Sequence, residues 1–118
     1  SLILEKTDNN KYTQLVSSYF RNFELLASKI EGLSLDKNPN LGIFGSSIAA
    51  TLLFSRFRDK IKFFVDEDPY KVGNQHFNIP IISTEKIPAD SIVIIPMNIE
   101  QAISIEDRLK NDSFNFLY

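Results

Sequence analysis

Short apolar runs of strand length alternate with helix-length patterns along residues 41–118, and this alternation constrains the fold of the chain more than any other feature. The strand-type runs are "LGIF" at 41–44, "KIKFFVDEDP" at 60–69, "NIPIIS" at 78–83, "DSIVIIP" at 90–96 and "SFNFLY" at 113–118. Patterns of helical type cover 46–57 and 98–111. Strands that alternate with helices pair in parallel through right-handed crossovers. The sequence therefore predicts an α/β domain with a mostly parallel sheet of about five strands.

A long amphipathic N-terminal helix is predicted over residues 11–31, with Gly32 as its stop signal. Its apolar positions at helical spacing are Leu15, Val16, Tyr19, Phe20, Phe23, Leu26, Ala27 and Ile30. A chain of 118 residues fits a single domain, so we expect an N-terminal tail and helix at 1–32 and an α/β core at 41–118. Because the chain opens with Ser1 rather than Met, we expect it to be excised from a larger protein.

Composition and charge exclude several classes of function. The formal net charge of −2 argues against a nucleic-acid partner, which needs a basic face. Cysteine is absent, so thiolate chemistry is excluded and the cytoplasm is the expected location. No apolar run approaches the roughly 20 residues of a membrane helix, so we expect no membrane partner. His76 is the only histidine; we expect it in a surface loop and expect no metal site.

The stretch "LGIFGSSIAATLLF" has the composition of a phosphate-binding turn between a strand and a helix. Gly42 and Gly45 would let the backbone turn tightly and approach a ligand, and the amides of Ser46, Ser47 and Ile48 would face an anion at the helix N-terminus. A complete G-x-G-x-x-G fingerprint is missing, because the spacing here is G-x-x-G-S-S. The alternative interpretation is a tight turn that binds no ligand, with Ser46 or Ser47 as the helix cap.

An acidic residue follows the second predicted strand. Asp66 ends "FFVD" about twenty residues beyond the glycine turn, where dinucleotide-binding folds place a carboxylate that accepts hydrogen bonds from ribose hydroxyls. The alternative is a turn residue, because Asp66, Asp68 and Pro69 favour a turn. Acid–base catalysis by this acidic run would need a positioned opposing group, so we expect no catalytic residue here. Together with the glycine turn, Asp66 predicts a three-layer Rossmann-like domain.

In order and spacing, these features resemble the C-terminal domain of sugar C-methyltransferases, enzymes that act on nucleotide-linked deoxysugars. The resemblance covers residues 19–118, with a helix before "GIFGSS", the block "FFVDEDPYKVG", the strand "IPIIS", and "IVIIPMN" leading into a helix. Its most specific part consists of Asp66, Pro69, Lys71 and Gly73, followed by Ile79, Pro80 and Ile81. The resemblance implies a Rossmann-like domain that belongs to a methyltransferase-like protein.

The resemblance further implies an auxiliary domain that binds a nucleotide-sugar without chemistry of its own, and it adds Lys71 and Asn98 to the ligand-binding residues. In that family the methyl donor, S-adenosylmethionine (SAM), binds a separate central domain, which a zinc-binding domain precedes. We therefore expect no cofactor on this domain. The expected partners are the nucleotide-sugar and a catalytic methyltransferase domain in the same or another chain, and the parent protein would be a SAM-dependent enzyme of carbohydrate biosynthesis.

Two other functions stay open at the level of sequence. The glycine turn and Asp66 also suit an NAD(P)-binding sensor or oxidoreductase domain. A non-catalytic structural or dimerisation module would instead dock its first helix and the apolar tail "LIL" onto a partner, so a homodimer is a further expectation. The helical spacing of Tyr19, Phe20 and Phe23 favours their use in the domain's own core.

Overall fold

The structure is a computed structural model that describes residues 14, 17, 20–33 and 40–118. The chain divides into two compact units, Ser1–Leu33 and Ser34–Tyr118. In the first unit, residues 20–31 form helix α1, which ends as predicted at Gly32, where the amide of Gly32 donates to the carbonyl of Ser28 at 3.0 Å. Most of the predicted helical segment before residue 20, and the tail "SLIL", lie outside the described residues.

The second unit is a mixed α/β domain built on a six-stranded sheet. Its strands are β1 (Asn40–Phe44), β2 (Ile61–Val65), β3 (Gln75–His76), β4 (Ile79–Ile82), β5 (Ser91–Ile94) and β6 (Asn115–Leu117), and its helices are α2 (Ile48–Phe57) and α3 (Ile99–Leu109). Every neighbouring pair is parallel except β3 with β4. The predicted mostly parallel sheet is therefore confirmed, with one strand more than expected. Within the described residues, no helix is long and apolar enough to cross a bilayer.

The strand order β3-β4-β2-β1-β5-β6 places β1 at the point where the chain changes its direction across the sheet. From β1 the chain first builds outward through β2 and β4, and it then returns to build the other side through β5 and β6. At such a point the loops that leave neighbouring strands diverge and open a crevice beyond the carboxyl ends of those strands. A ligand site is therefore expected at the loops that follow β1, β2 and β5.

The side chains of β2 alternate between two sets of apolar contacts, as the two-residue period of a strand requires. Phe63 and Val65 belong to a buried cluster with Ala102 and Ile105 of α3. Phe64, which lies between them, instead contacts the buried ring of Phe54 in α2, with 5.6 Å between ring centroids. The two helices thus pack on alternate side chains of one strand.

A tight hairpin joins β3 to β4, and its two turn residues both adopt positive φ. Phe77 has φ +53° and Asn78 has φ +64°, the combination that a type I′ turn requires. The Phe77 ring stacks on Phe54, with centroids 5.1 Å apart and planes 9° from parallel. His76 lies in β3 with its ring edge-on to Phe64 at 4.9 Å, so its expected place in a surface loop is wrong. Aromatic packing holds this hairpin against the sheet.

Candidate functional site

The glycine turn follows β1 at the carboxyl edge of the sheet. Gly45 adopts φ +83°, a conformation that costs glycine little, and its amide donates to the carbonyl of Val65 at 2.8 Å. Ser47 is the cap of α2, because its hydroxyl accepts a hydrogen bond from the amide of Ala50 at 3.2 Å. One of the two serines predicted to cap the helix therefore does so, and the turn is tied directly to β2.

Within the described part of the chain, three backbone amides at this turn have no hydrogen-bond partner, as is usual at the start of a helix. No described residue accepts a hydrogen bond from the amides of Ser46, Ser47 or Ile48. The side chain of Ile48 is 78% exposed, and the first turn of α2 contains no acidic residue. The positive end of the α2 dipole is therefore open to an anion.

Lys71 brings a positive charge to the same turn from 25 residues away in the chain. Its ammonium Nζ donates a hydrogen bond to the hydroxyl of Ser46 at 3.0 Å. The same Nζ lies 3.9 Å from Oδ2 of Asp66, at the outer limit of an ion pair. Because the Lys71 side chain is about half exposed, this pair is weak and the ammonium can turn toward a ligand at little cost.

Asp66 combines a turn role with a place in the site. Its Oδ1 accepts a hydrogen bond from the amide of Asp68 at 2.9 Å, while its Oδ2 is the atom that faces Lys71. Asp68 continues the turn, because its carbonyl accepts from the amides of Lys71 and Val72 at 3.0 and 3.1 Å. The sequence left a turn role and a ligand role as alternatives for Asp66, and the geometry leaves one carboxylate oxygen for each.

Gly42 and Asn98, also predicted to bind a ligand, both have contacts within the domain. Gly42 lies in β1 beside Phe63, and a Cβ at Gly42 would come within 2.1 Å of the Phe63 ring, so glycine makes room for that ring. Asn98 caps α3, where its Oδ1 accepts from the amide of Gln101 at 2.9 Å. The structure thus brings Ser46, Asp66 and Lys71 together by contact, with Gly45 preceding Ser46 in the turn, whereas Gly42 and Asn98 have other partners.

Sequence reasoning did not assign a role to Met97, which precedes Asn98 after β5. A Cβ at Gly45 would lie 3.6 Å from Cε of Met97, so the Met97 side chain reaches the glycine turn. A lone methionine beside a strand carries no sequence signal for this position.

An open groove of about 340 Å³ lies between the segments that follow β2 and β4. It is lined by Asp66, Glu67, Pro69, Val72, Ser83, Thr84 and Glu85. The Ser83 hydroxyl donates to Oε2 of Glu85 at 3.5 Å. Asp66 lines the groove and also faces Lys71, so the edge of the sheet has a cationic part and an anionic part that meet at one side chain.

The described residues contain no group of three or more histidine, cysteine or carboxylate side chains arranged for a metal ion.

Glu67 is held in one orientation by Arg108 of α3. Two guanidinium nitrogens of Arg108 donate to the two carboxylate oxygens of Glu67, at 2.5 and 2.7 Å. The hydrogen bond from Arg108 is the main cause that lowers the pKa of Glu67, burial opposes it, and the positive charge of Arg108 adds to it. A bidentate pair of this kind fixes the carboxylate and keeps it ionised.

Removal of Arg108 is expected to raise the pKa of Glu67. In Arg108→Gln the pKa returns toward the ordinary value of a glutamate, because the hydrogen bonds and the positive charge are both lost. A lowered folded-state pKa stabilises the protein above the ordinary pKa of glutamate, and this contribution disappears as the pH falls through the folded-state value. Since the Arg108 and Glu67 side chains are 52% and 41% exposed, solvent screens the pair and the stability change should be small.

The measurement is a pH titration of the Glu67 side-chain carboxyl by carbon-detected NMR, in the parent and in Arg108→Gln. Lys62→Gln is the matched control, because it also removes one exposed positive charge, and it should leave the Glu67 titration unchanged. Equal midpoints in the parent and in Arg108→Gln would show that the ion pair does not persist in solution.

No protein-family model matches this chain, and no curated protein sequence matches it either. The functional proposal therefore rests on the residues at the carboxyl edge of the sheet and on the resemblance of the sequence.

Proposed function

We propose that this chain is an auxiliary, non-catalytic domain that binds a nucleotide-sugar and holds it for a separate SAM-binding domain of a sugar C-methyltransferase-like protein. The observation that carries the proposal is the hydrogen bond from Lys71 Nζ to Ser46 Oγ at 3.0 Å. This hydrogen bond brings a half-exposed cation to a helix N-terminus whose first amides have no acceptor among the described residues. The resemblance of the sequence points to the enzyme family, and the geometry of the edge supports an anionic ligand.

The phosphates of such a ligand would bind at the glycine turn. Amides of residues 46–48 provide directed hydrogen-bond donors, the α2 dipole favours negative charge, and Lys71 adds a full positive charge. Positive φ at Gly45 turns the backbone so that these donors lie beyond the end of β1. Donors and a cation at the same short segment suit a phosphate better than a neutral group.

The ribose would lie at Asp66, the first residue after β2. Its position next to the turn suits a carboxylate that accepts hydrogen bonds from ribose hydroxyls. Oδ1 accepts from the amide of Asp68, and Oδ2 faces only the half-exposed ammonium of Lys71 at 3.9 Å. The strand order around β1, together with packing of α2 and α3 on alternate side chains of β2, supports a three-layer Rossmann-like arrangement for this unit. In that arrangement the crevice at β1 is where ligands bind.

The carboxylates near the turn support binding rather than catalysis. Glu67 is held by Arg108, which lowers its pKa, whereas a general acid needs a raised pKa. Asp66 is committed to the amide of Asp68 and to Lys71. Chemistry would then come from the separate methyltransferase domain, with SAM bound there. A cytoplasmic location and a homodimer belong to the same proposal.

An NAD(P)-binding sensor or oxidoreductase domain is the second candidate, and the observation that favours it is the position of Asp66 after the second strand of the sheet. The dimerisation alternative depends on the first helix, of which residues 20–31 are described, and on the apolar tail, which lies outside the described residues. It stays a prediction.

Titration of the isotope-labelled protein, followed by backbone amide NMR, separates these candidates. UDP-glucose, dTDP-glucose, NAD and SAM are added in turn. Under the proposal, a nucleotide-sugar gives saturable shifts at residues 45–48 and at Asp66, and SAM gives none. Saturable shifts with NAD and none with either nucleotide-sugar would replace the proposal with the second candidate.

Lys71→Met should weaken nucleotide-sugar binding about 10- to 100-fold, because a hydrogen bond to a charged group contributes roughly 1.5–3 kcal/mol. Methionine keeps most of the length of the side chain and removes the charge. Lys62→Met is the matched control, since Lys62 is an exposed lysine of β2 whose Nζ donates to the carbonyl of Asp59. Isothermal titration calorimetry gives both affinities, and equal affinities in the two variants would remove Lys71 from the site.

A further inference from the structure

The segment that joins α2 to β2 carries positive charge at the amino edge of the sheet, opposite the glycine turn. Residues 56–62 include four lysine or arginine residues and one aspartate, which give a net charge of +3. The whole chain has a net charge of −2, so the residues outside this segment sum to −5. The segment thus differs in sign from the rest of the chain, as a surface for an anionic partner would.

Two cations of this segment, Arg58 and Lys60, lie over aromatic rings rather than beside carboxylates. The guanidinium carbon of Arg58 is 5.3 Å from the ring centroid of Phe54, and Nζ of Lys60 is 5.8 Å from that of Phe57. Among the described residues, neither side chain has a hydrogen-bond or ion-pair partner. The cation–π contacts orient the two charges and leave their hydrogen-bond donors open to a partner from outside the domain.

An exposed aromatic ring lies beside these cations, at the tip of the β3–β4 hairpin. The turn at Phe77 leads into β4, and parallel pairing of β2 with β4 places this turn at the same amino edge as Arg58. Phe77 and Arg58 both contact the ring of Phe54, yet Phe77 is 47% exposed. Aromatic residues and arginine are the residue types enriched where proteins bind one another.

We infer that Arg58, Lys60 and Phe77 form a docking face for an acidic segment of another protein, in which an apolar side chain lies next to carboxylates. The carboxylates would pair with the guanidinium and ammonium groups, and the apolar side chain would cover the exposed part of the Phe77 ring. A partner bound at this edge leaves the glycine turn at the opposite edge open to its ligand. The inference goes beyond the proposed function and does not depend on it.

The distribution of charge favours a short acidic segment over the other anionic partners. A nucleic acid or an anionic membrane presents many charges over a large area, and the −5 outside residues 56–62 opposes its approach. A short segment meets only the local +3. Two copies of this chain that met through the same face would place like charges opposite each other. Complementary charge therefore points to a different protein.

The experiment follows backbone amide signals of the labelled chain by NMR during titration with three synthetic peptides. The first is rich in glutamate with a central leucine, the second has lysine in place of glutamate, and the third has serine in place of leucine. The first peptide should give saturable shifts at residues 58–60 and 76–78, and added salt should weaken it several-fold. The lysine peptide should give no shifts, and the serine peptide should bind more weakly than the first.

Substitutions in the docking face separate the contributions of charge and ring. Arg58→Gln combined with Lys60→Gln should weaken the leucine peptide about five- to tenfold, as two exposed ion pairs are lost. Lys86→Gln is the matched control, because Lys86 is an exposed lysine that follows β4, and it should leave the affinity unchanged. Phe77→Gly should weaken the leucine peptide but not the serine peptide. Dispersed amide spectra identify the variants that fold.

Absence of shifts at residues 58–60 and 76–78 with the leucine peptide would overturn the inference. Equal binding of the lysine peptide, or unchanged affinity in the folded double variant, would do the same. Tighter binding of single-stranded DNA or of phosphatidylserine vesicles at these residues would assign the face to a polyanion or a membrane. Shifts there that grow with the concentration of the protein alone would assign it to a second copy, and either result would replace the inference. None of these outcomes bears on the ligand site at the opposite edge.

Discussion

Gly42→Ala is expected to lower the free energy of unfolding by about 3 kcal/mol, the upper part of the range for overpacking a closely packed core. The added methyl group would lie 2.1, 2.5 and 2.6 Å from three carbons of the Phe63 ring, far inside van der Waals contact. Phe63 cannot move away easily, because it is 4% exposed and belongs to the cluster that includes residues of α3. Urea unfolding followed by circular dichroism measures the loss.

The double variant Gly42→Ala with Phe63→Leu is the control for this prediction. A smaller side chain at position 63 makes room for the methyl group, so Gly42→Ala should cost clearly less in the Phe63→Leu background than in the parent. An additive effect, or a Gly42→Ala variant as stable as the parent, would contradict the packing that we describe. Nucleotide-sugar titration of any folded Gly42→Ala variant also tests the predicted ligand role of Gly42.

Gly42 illustrates what a local pattern cannot reveal. A glycine before a strand-to-helix turn predicts a close approach of the backbone to a ligand, and that prediction stays untested. The close approach that the structure shows is to Phe63, which pairs with Gly42 in register across β1 and β2. Register between strands that are some twenty residues apart depends on the whole sheet, so no spacing in the sequence identifies this partner.

The parallel strands were predictable because each is a short apolar run of the kind that a covered sheet requires. β3 was missed for two reasons. It contains only Gln75 and His76, which is too short for a period-two pattern. Its turn consists of Phe77 and Asn78 rather than the Asn-Gly or Asp-Gly that marks a type I′ hairpin. Stacking of Phe77 on Phe54 stabilises a turn that local preferences disfavour.

The candidate site also has parts that the sequence predicts and parts that it does not. The glycine turn and Asp66 were predictable, because a strand end and a helix cap are local signals. The hydrogen bond from Lys71 to Ser46 joins residues 25 apart, and the pair of Glu67 with Arg108 joins residues 41 apart. The resemblance pointed to Lys71, but only the strand order explains why it meets the turn. Arg108 carried no signal, because a charged residue late in a helix usually faces solvent.

Phe54→Ala is expected to lower the free energy of unfolding by about 4 kcal/mol, as is typical when a buried phenylalanine is truncated to alanine. The Phe54 side chain is 1% exposed and contacts the rings of Phe64 and Phe77, so its removal leaves a cavity between α2 and the sheet and releases the hairpin. The loss is a large part of the roughly 5–15 kcal/mol that stabilises a typical domain. Urea unfolding gives the value, and Phe54→Leu should cost clearly less.

A substitution at Phe77 tests whether stacking of the two rings contributes to the stability lost in Phe54→Ala. Positive φ makes Phe77 a strained position for any residue except glycine, and the stacked pair with Phe54 offsets the strain by about 1 kcal/mol. Phe77→Gly should therefore destabilise the parent, or leave it unchanged, while it stabilises the Phe54→Ala variant, in which the stacking partner is gone. The same effect of Phe77→Gly in both backgrounds would show that the two rings are not coupled. A difference of the expected sign would establish that the aromatic stack, rather than the turn sequence, holds the β3–β4 hairpin beside the groove.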